Sequence, residues 1–334
     1  MLIVAAGCSD SKTNTQEKVS TEKTAASEQP TQSTEQPMPA PTAKQTNPTI
    51  ISQNKELPSA GGNLTVHFLD VGQGDSILLE HGDDAMLIDS GEIGKGDDVA
   101  TYNNEGVMSL DYVIATHPHS DHIGGMSVIL NDFPIGHFVD SGYAYSSKTY
   151  ENMLTTIDKK NIPFETPKRG DKINFTSGID VYVLNPGSTY FTDDVNQNSV
   201  VLKVTDGKVT FLLMGDAGIQ AENEIMKDGY NVDADILKVG HHSSRTASVT
   251  LFISAVSPEI SVIEVGAGND YGHPHQETLD RLQKVSKGIS NRLGRHNHCN
   301  DRWIFLFSEY GEVMAWKASK LLSIELKRIL QYCL

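Results

Sequence analysis

Four side chains able to hold a metal ion fall within six residues: His117, His119, Asp121 and His122 in the run His117-Pro118-His119-Ser120-Asp121-His122. Imidazole nitrogens and a carboxylate oxygen suit Zn2+, Mn2+ or Fe2+. A helix cannot aim His117 and His119 at one point, because positions i and i+2 lie on different helical faces. A loop at a strand end can, and the apolar run Tyr112–Thr116 leads straight into this one, with Gly124-Gly125 just beyond it. A fold that gathers strand ends at one edge is therefore the frame to look for.

Three more strand exits carry chemistry. Leu212-Leu213-Met214-Gly215-Asp216 ends on a carboxylate, Leu237-Lys238-Val239-Gly240-His241-His242 on two histidines, and Tyr271-Gly272-His273-Pro274-His275 holds two more. Each alone has an ordinary reading: Asp216 as the N-cap of the following helix, His273 as packing for a Gly-Pro turn, His275 as a helix cap. Seven of the chain's 12 histidines fall in the three His motifs, and their recurrence at strand exits argues for one shared site. Period-two alternation and turn residues predict strands over 64–70, 76–80, 85–89, 110–116, 179–184, 199–205, 209–214, 236–239 and 260–265. Helical spacing appears over 123–130, 149–160, 217–227, 246–256 and 275–285. Strands with interspersed helices point to an α+β domain with stacked sheets and outer helices.

The ends differ from this middle. Met1–Cys8 is apolar and closes on small residues before a cysteine, similar to the lipobox of a bacterial lipoprotein signal, with Cys8 the lipidated residue and the n-region and part of the apolar run missing. Residues 9–60 are rich in Ser, Thr, Gln, Glu, Lys and Pro, too polar to bury a core, and read as a disordered tether. No apolar run reaches the length of a membrane span. The expectation is a cell-surface or secreted protein held by a lipid anchor. Its oligomeric state is open.

The strings His67–Ser76 (HFLDVGQGDS), Leu87–Gly91 (LIDSG), the His117–His122 run with its glycines, Asn198–Leu202, Leu213–Ala217, Leu237–Ser244 and Tyr271–His275 together resemble the metallo-β-lactamase superfamily. More narrowly they resemble the nuclease-like domain of ComEC-type competence proteins. The resemblance covers residues 62–285 and implies an αββα four-layer sandwich with two divalent metal ions, Zn or Mn, at one edge between the sheets. It assigns His117 and His119 to a first metal, Asp121 and His122 to a second, and Asp216 as the bridging carboxylate. His241 completes the second site, with His242 the alternative. It implies Asp89 as a carboxylate orienting a ligand histidine, and it leaves Asn198-Ser199 where many superfamily members place another histidine on the first metal, so that this metal is the weaker. Asp75, on the Gly-rich turn, either faces the site or only makes the turn.

The resemblance implies phosphodiester hydrolysis by a metal-activated hydroxide, with Asp121 handling the water's proton and His273 contacting phosphate or protonating the leaving group. Between Gly62 and Val285 there are 14 Lys and Arg against 33 Asp and Glu. Polyanion binders normally carry basic patches, so phosphodiesterase is firmer than DNase. Extracellular DNA processing or uptake is one expected role, removal of phosphocholine from teichoic acids a second, and a non-catalytic metal-containing surface module a third.

Residues 286–334 stop resembling the family. Reading the corresponding codons one base later permits a segment with the family's closing strand elements, so the tail is expected to result from a frameshift near Val285, with Cys299, Cys333, His296 and His298 not native and the last strands missing. A helical tail over Leu321–Leu330 is the rival expectation. The coding DNA decides between them.

Overall fold

Alternation along single strands builds this fold. A computed structural model describes residues 64–103 and 106–285, together with three strands between 303 and 325. Cys8, the tether over 9–60 and residues 286–302 lie outside the described residues, and with them the expected lipid anchor and most of the tail for which a frameshift was expected.

The first sheet contains β1 (Thr65–Leu69), β2 (Ile77–His81), β3 (Asp84–Ile88), β4 (Leu110–Ala115), β5 (Ile135–Asp140) and β6 (Phe164–Glu165). The second contains β7 (Lys172–Ile173), β8 (Ile179–Asn185), β9 (Val201–Asp206), β10 (Val209–Leu213), β11 (Ile236–Lys238), β12 (Ile260–Val265), β13 (Trp303–Ser308) and β14 (Val313–Lys317). β15 (Leu321–Glu325) returns to the first sheet and pairs antiparallel with β1. The strand orders are β15-β1-β2-β3-β4-β5-β6 and β14-β13-β12-β11-β10-β9-β8-β7.

Because successive side chains point to opposite faces of a strand, each strand feeds two layers. On β3, Met86 and Ile88 face the layer between the sheets while Leu87 faces outward; on β10, Phe211 and Leu213 face in and Leu212 out. The outward layers are closed by helices. α1 (Gly96–Asn103), α2 (Ser120–Ile123), α3 (Met126–Asp132) and α4 (Lys148–Lys160) lie on the first sheet's side, where Tyr150, Met153 and Ile157 at i, i+3 and i+7 bury one stripe of α4. α5 (Ile219–Lys227), α6 (Thr250–Val256) and α7 (Gln276–Val285) close the other side through Ala221, Ile225, Phe252, Ile253, Leu279 and Leu282. The result is the expected αββα sandwich.

Several elements depart from the expectations. The single helix over 123–130 is two, α2 and α3, broken at Gly124-Gly125. A Cβ on Gly124 would stand 2.2 Å from the Ile93 nitrogen, and one on Gly125 would stand 2.4 Å from the Ser90 carbonyl oxygen, so the glycines admit the loop after β3. β4 and β5 run parallel to β3, and β11 and β12 parallel to β10, so each sheet is mixed. The tail is extended at Leu321–Glu325 rather than helical, and β13, β14 and β15 complete the sheets that were expected to lack closing strands. Among the described residues no helix is long and apolar enough to cross a membrane.

Candidate metal centre

The ends of β3, β4, β10, β11 and β12 meet at one edge of the sandwich. β4 delivers Thr116 and His117, and α2 opens at His119, whose carbonyl accepts from the backbone N–H of His122 and of Ile123. This short helical turn brings Asp121 and His122 round to the same side. β10 ends at Met214-Gly215-Asp216. Gly215 has φ +51, and a Cβ there would lie 3.0 Å from the Thr116 Cβ, so the bend brings Asp216 against the histidine loop. Asp216 is not a helix cap: α5 starts from Gly218 without any side-chain cap.

Asp121, His122, Asp216 and His242 place one ligand atom each within 4.8 Å of one another. His122 Nε2 lies 3.4 Å from Asp216 Oδ1 and 3.9 Å from Asp121 Oδ2; His242 Nε2 lies 3.3 Å and 3.4 Å from the same two oxygens. His122 Nε2, His242 Nε2 and Asp216 Oδ1 are buried without a hydrogen-bond partner among the described residues. Buried polar atoms are nearly always satisfied, and three orphans facing one point are what a bound cation would satisfy. The donor set therefore fits a divalent metal ion. Of the two histidines, His242, the alternative, joins this cluster rather than His241: three successive left-handed residues, His241 (φ 49), His242 (φ 49) and Ser243 (φ 65), swing its ring inward.

His117, fully buried, and His119 stand beside this cluster, with His117 Nε2 3.1 Å from His119 Nδ1 and 3.8 Å from Asp216 Oδ2. His241 Nε2 lies 3.8 Å from the same Oδ2.

Two buried carboxylates stand behind the ligands. Asp89 (φ 58) accepts from the Thr116 backbone N–H at 2.8 Å and from its hydroxyl at 2.7 Å, and holds His122 Nδ1 at 2.7 Å. Asp75 does more than shape its turn: it pairs with the fully buried Lys238 and lies 3.3 Å from His242 Nδ1, which also donates to the Glu264 carbonyl at 2.9 Å. Asn198 turns to its own loop. Its amide donates to the Phe191 carbonyl and accepts from the Phe191 N–H, clasping its own loop, while Asn196 reaches the cavity and lies 3.3 Å from His241 Nε2.

Burial drives the ionisation pattern. It pushes His117 well below the usual histidine range and lowers His119. It also opposes charge on His122 and His242, but Asp216, with Asp89 and Asp121 for His122 and with Asp75 for His242, outweighs it and lifts both well above that range. Burial disfavours charge on Asp216 and Asp121 too, yet the surrounding histidines hold both well below the carboxylate range. A cation entering here would displace protons from the histidines. His273 is pushed down to about 4, first by burial and then by His241 and His242, so it is neutral near pH 7. His275 does not cap α7 with its side chain: its ring accepts from the Arg245 N–H.

The cluster floors an open cavity of about 510 Å3 whose rim includes Ile93, Tyr145, Tyr271 and His273. Among the described residues no lysine or arginine lines it. Sequence reasoning passed over Asn196, Tyr145, Lys238 and Glu264. Only Lys238, a charge inside an apolar strand run, carried a signal that could have been read.

Residues 69–266 match the metallo-beta-lactamase superfamily. ComE operon protein 3 of Bacillus subtilis (strain 168) is 30% identical over 240 residues, covering 66% of this chain and 31% of the relative. Competence protein ComA of Neisseria gonorrhoeae is 31% identical over 218 residues, covering 64% and 29%. The chain thus spans about a third of the length of these curated relatives. Among solved structures, the metallo-beta-lactamase fold protein YhfI from Bacillus subtilis is 13% identical, with a TM-score of 0.44 over 66% of this chain and 93% of that one.

Proposed function

The chain belongs to the metallo-β-lactamase superfamily, and from that premise we propose that it is a metal-dependent phosphodiesterase acting on small or terminal phosphodiesters, DNA ends among them. The carrying observation is the convergence of Asp121, His122, Asp216 and His242 on one point, with three of their buried atoms unpartnered, at the floor of an open cavity.

Bound divalent ions, two in this reading, would supply Lewis acidity: they acidify a water and offset negative charge on a phosphoryl group. The chain's own residues do the rest. Asp121, partly exposed to the cavity and held ionised, is placed to accept a proton at Oδ1 or Oδ2 from a water between it and substrate. Asp89 and Asp75 fix the ring planes of His122 and His242, so their Nε2 lone pairs stay aimed at one place. His273, neutral near pH 7, is suited to hydrogen-bond a phosphoryl oxygen rather than to arrive as an imidazolium that protonates the leaving group. The absence of Lys and Arg from the cavity lining disfavours a long polyanion lying across the mouth and favours a chain end.

The same mouth supports a second reading. Tyr145 and Tyr271 with acidic surroundings fit a quaternary ammonium group through cation–π attraction, which matches a phosphocholine ester. In either case we place the domain at the cell surface, lipid-anchored at Cys8 through residues 9–60.

Asp121→Asn and His122→Ala, assayed with Mn2+ or Zn2+ on bis(p-nitrophenyl) phosphate, single-stranded DNA and a phosphocholine ester, test the reading. Hydrolysis should fall at least about a hundredfold in both variants. Unchanged activity in both refutes the mechanism, and a metal-loaded wild-type protein inert toward all three substrates makes the domain a binding module.

A further inference from the structure

The bridging carboxylate has two oxygens, and the structure gives them different company. Asp216 Oδ1 faces His122 Nε2 and His242 Nε2 at 3.4 and 3.3 Å. Asp216 Oδ2 faces His117 Nε2 and His241 Nε2, each at 3.8 Å. Adjacent histidines on an extended chain point to opposite faces. Here the two rings stand 6.2 Å apart at 71° on the same side of the chain, one toward each oxygen.

That arrangement is held at a cost. His241, His242 and Ser243 are successive non-glycine residues at φ 49, 49 and 65, in the left-handed region that sterically disfavours L-residues. The turn is pinned by the His241 N–H on the Gly215 carbonyl at 3.1 Å and the Ser244 N–H on the His241 carbonyl at 2.7 Å. The first of these bonds ties His241 to the residue before Asp216. His241 Nδ1 lies 3.4 Å from the Thr246 hydroxyl, and Nε2, on the cavity side, lies 3.3 Å from the Asn196 amide nitrogen.

We propose that the His241-His242 doublet is divided between two metal ions, with His242 a ligand beside Asp121 and His122, and His241 a ligand beside His117 and His119, where Asn198 faces away from the site. Asp216 then contributes one oxygen to each ion. His117 Nε2, His119 Nδ1, Asp216 Oδ2 and His241 Nε2 are donors of the type Zn2+ or Mn2+ accepts, linked in series at 3.1, 3.8 and 3.8 Å, a looser grouping than the Asp121, His122, Asp216 and His242 cluster. The assignment rests on the metal-centre reading above but not on its substrate, so a metal count can fail or succeed independently of any hydrolysis assay.

The test is metal stoichiometry on the full chain. His241→Gly is the informative variant, because glycine adopts φ 49 without strain and leaves a hole the size of an imidazole ring. Chelator-stripped protein is reloaded with Zn2+, passed through a desalting column, and counted by elemental mass spectrometry, with thermal unfolding as the fold control. Wild type should retain two ions and His241→Gly one, and free imidazole added to the variant should restore the second. His241→Gln, without imidazole, should also retain one and checks the result if the glycine variant does not fold. Retention of two ions by the folded variants at wild-type affinity overturns the assignment, and so does a wild type that holds a single ion unaffected by the change.

Discussion

Replacing Lys238 by Met should cost the metal-free protein about 3–5 kcal/mol, the usual result of stripping one partner from a buried ion pair. Lys238 is fully buried on β11, its ammonium on Asp75 and 3.5 Å from the Gly215 carbonyl. Asp75 is buried as well. Burial opposes its charge, but Lys238 and then His242 hold its pKa below the ordinary value. Glu264 is raised well above the carboxylate range, by burial first and then by Asp75, so it adds no second negative charge beside Asp75. Methionine fills the lysine volume without the charge and leaves the Asp75 carboxylate with only histidines, His242 first and His122 after it, to hold its charge. For a domain of this size each kcal/mol moves Tm by about 2–4 °C, so differential scanning fluorimetry on chelator-stripped protein should show a fall on the order of 10 °C. Lys238→Met combined with Asp75→Asn removes the stranded charge and should recover much of the loss. A single variant within about 1 kcal/mol of wild type, or a double variant no better than the single one, would refute the reasoning.

Asp89→Asn should weaken metal binding about 10–100-fold, read by competition with a chromophoric chelator, because His122 loses its anionic partner; wild-type affinity would contradict this. Gly74→Ala should destabilise the fold by on the order of 3 kcal/mol, since a Cβ at φ +123 would lie 2.0 Å from the Asp121 carbonyl oxygen; a neutral effect in urea melts would show that the turn does not press on the ligand loop. Glu222 accepts the backbone N–H groups of Ser248 and Val249 and is pushed up to about 7, by burial first, against the pull of those bonds and Arg281. Its folded pKa exceeds the ordinary 4.5, so the native state holds the proton more tightly and stability falls as pH rises between those values. Glu222→Gln should flatten that fall by about 3 kcal/mol, and an unchanged slope of stability against pH would exclude Glu222 as its source.

What could be read from the sequence was what local pattern encodes. β1 alternates Thr65 and His67 with Val66 and Phe68, β2 and β3 stand out as short apolar runs between turn residues, and the His117–His122 run names its own chemistry. α1 escaped because its buried described positions are Gly96, Val99 and Ala100, and two small or side-chain-free residues among three show no helical stripe. β5 escaped because Gly136 and His137 interrupt its apolar run. Leu321–Glu325 has helix-like leucine spacing, but its partner β1 is more than 250 residues away, and pairing of that range leaves no local trace. The same limit applied at the site. Choosing His242 over His241 depended on left-handed backbone at three successive residues, and choosing Asn196 over Asn198 depended on how one 3-10 turn, Val195–Asn198, faces the cavity. The buried chain Lys238–Asp75–His242 joins three segments that no spacing rule connects.

The central claim is that phosphodiester hydrolysis depends on a divalent metal held by Asp121, His122, Asp216 and His242. Titration of chelator-stripped wild-type protein with Mn2+, with bound metal and p-nitrophenol release from bis(p-nitrophenyl) phosphate followed together, tests it most directly. The stripped protein should release none, and the rate should rise in step with metal occupancy. Hydrolysis that persists without metal, or full occupancy with no hydrolysis of this ester or of DNA ends, would contradict it.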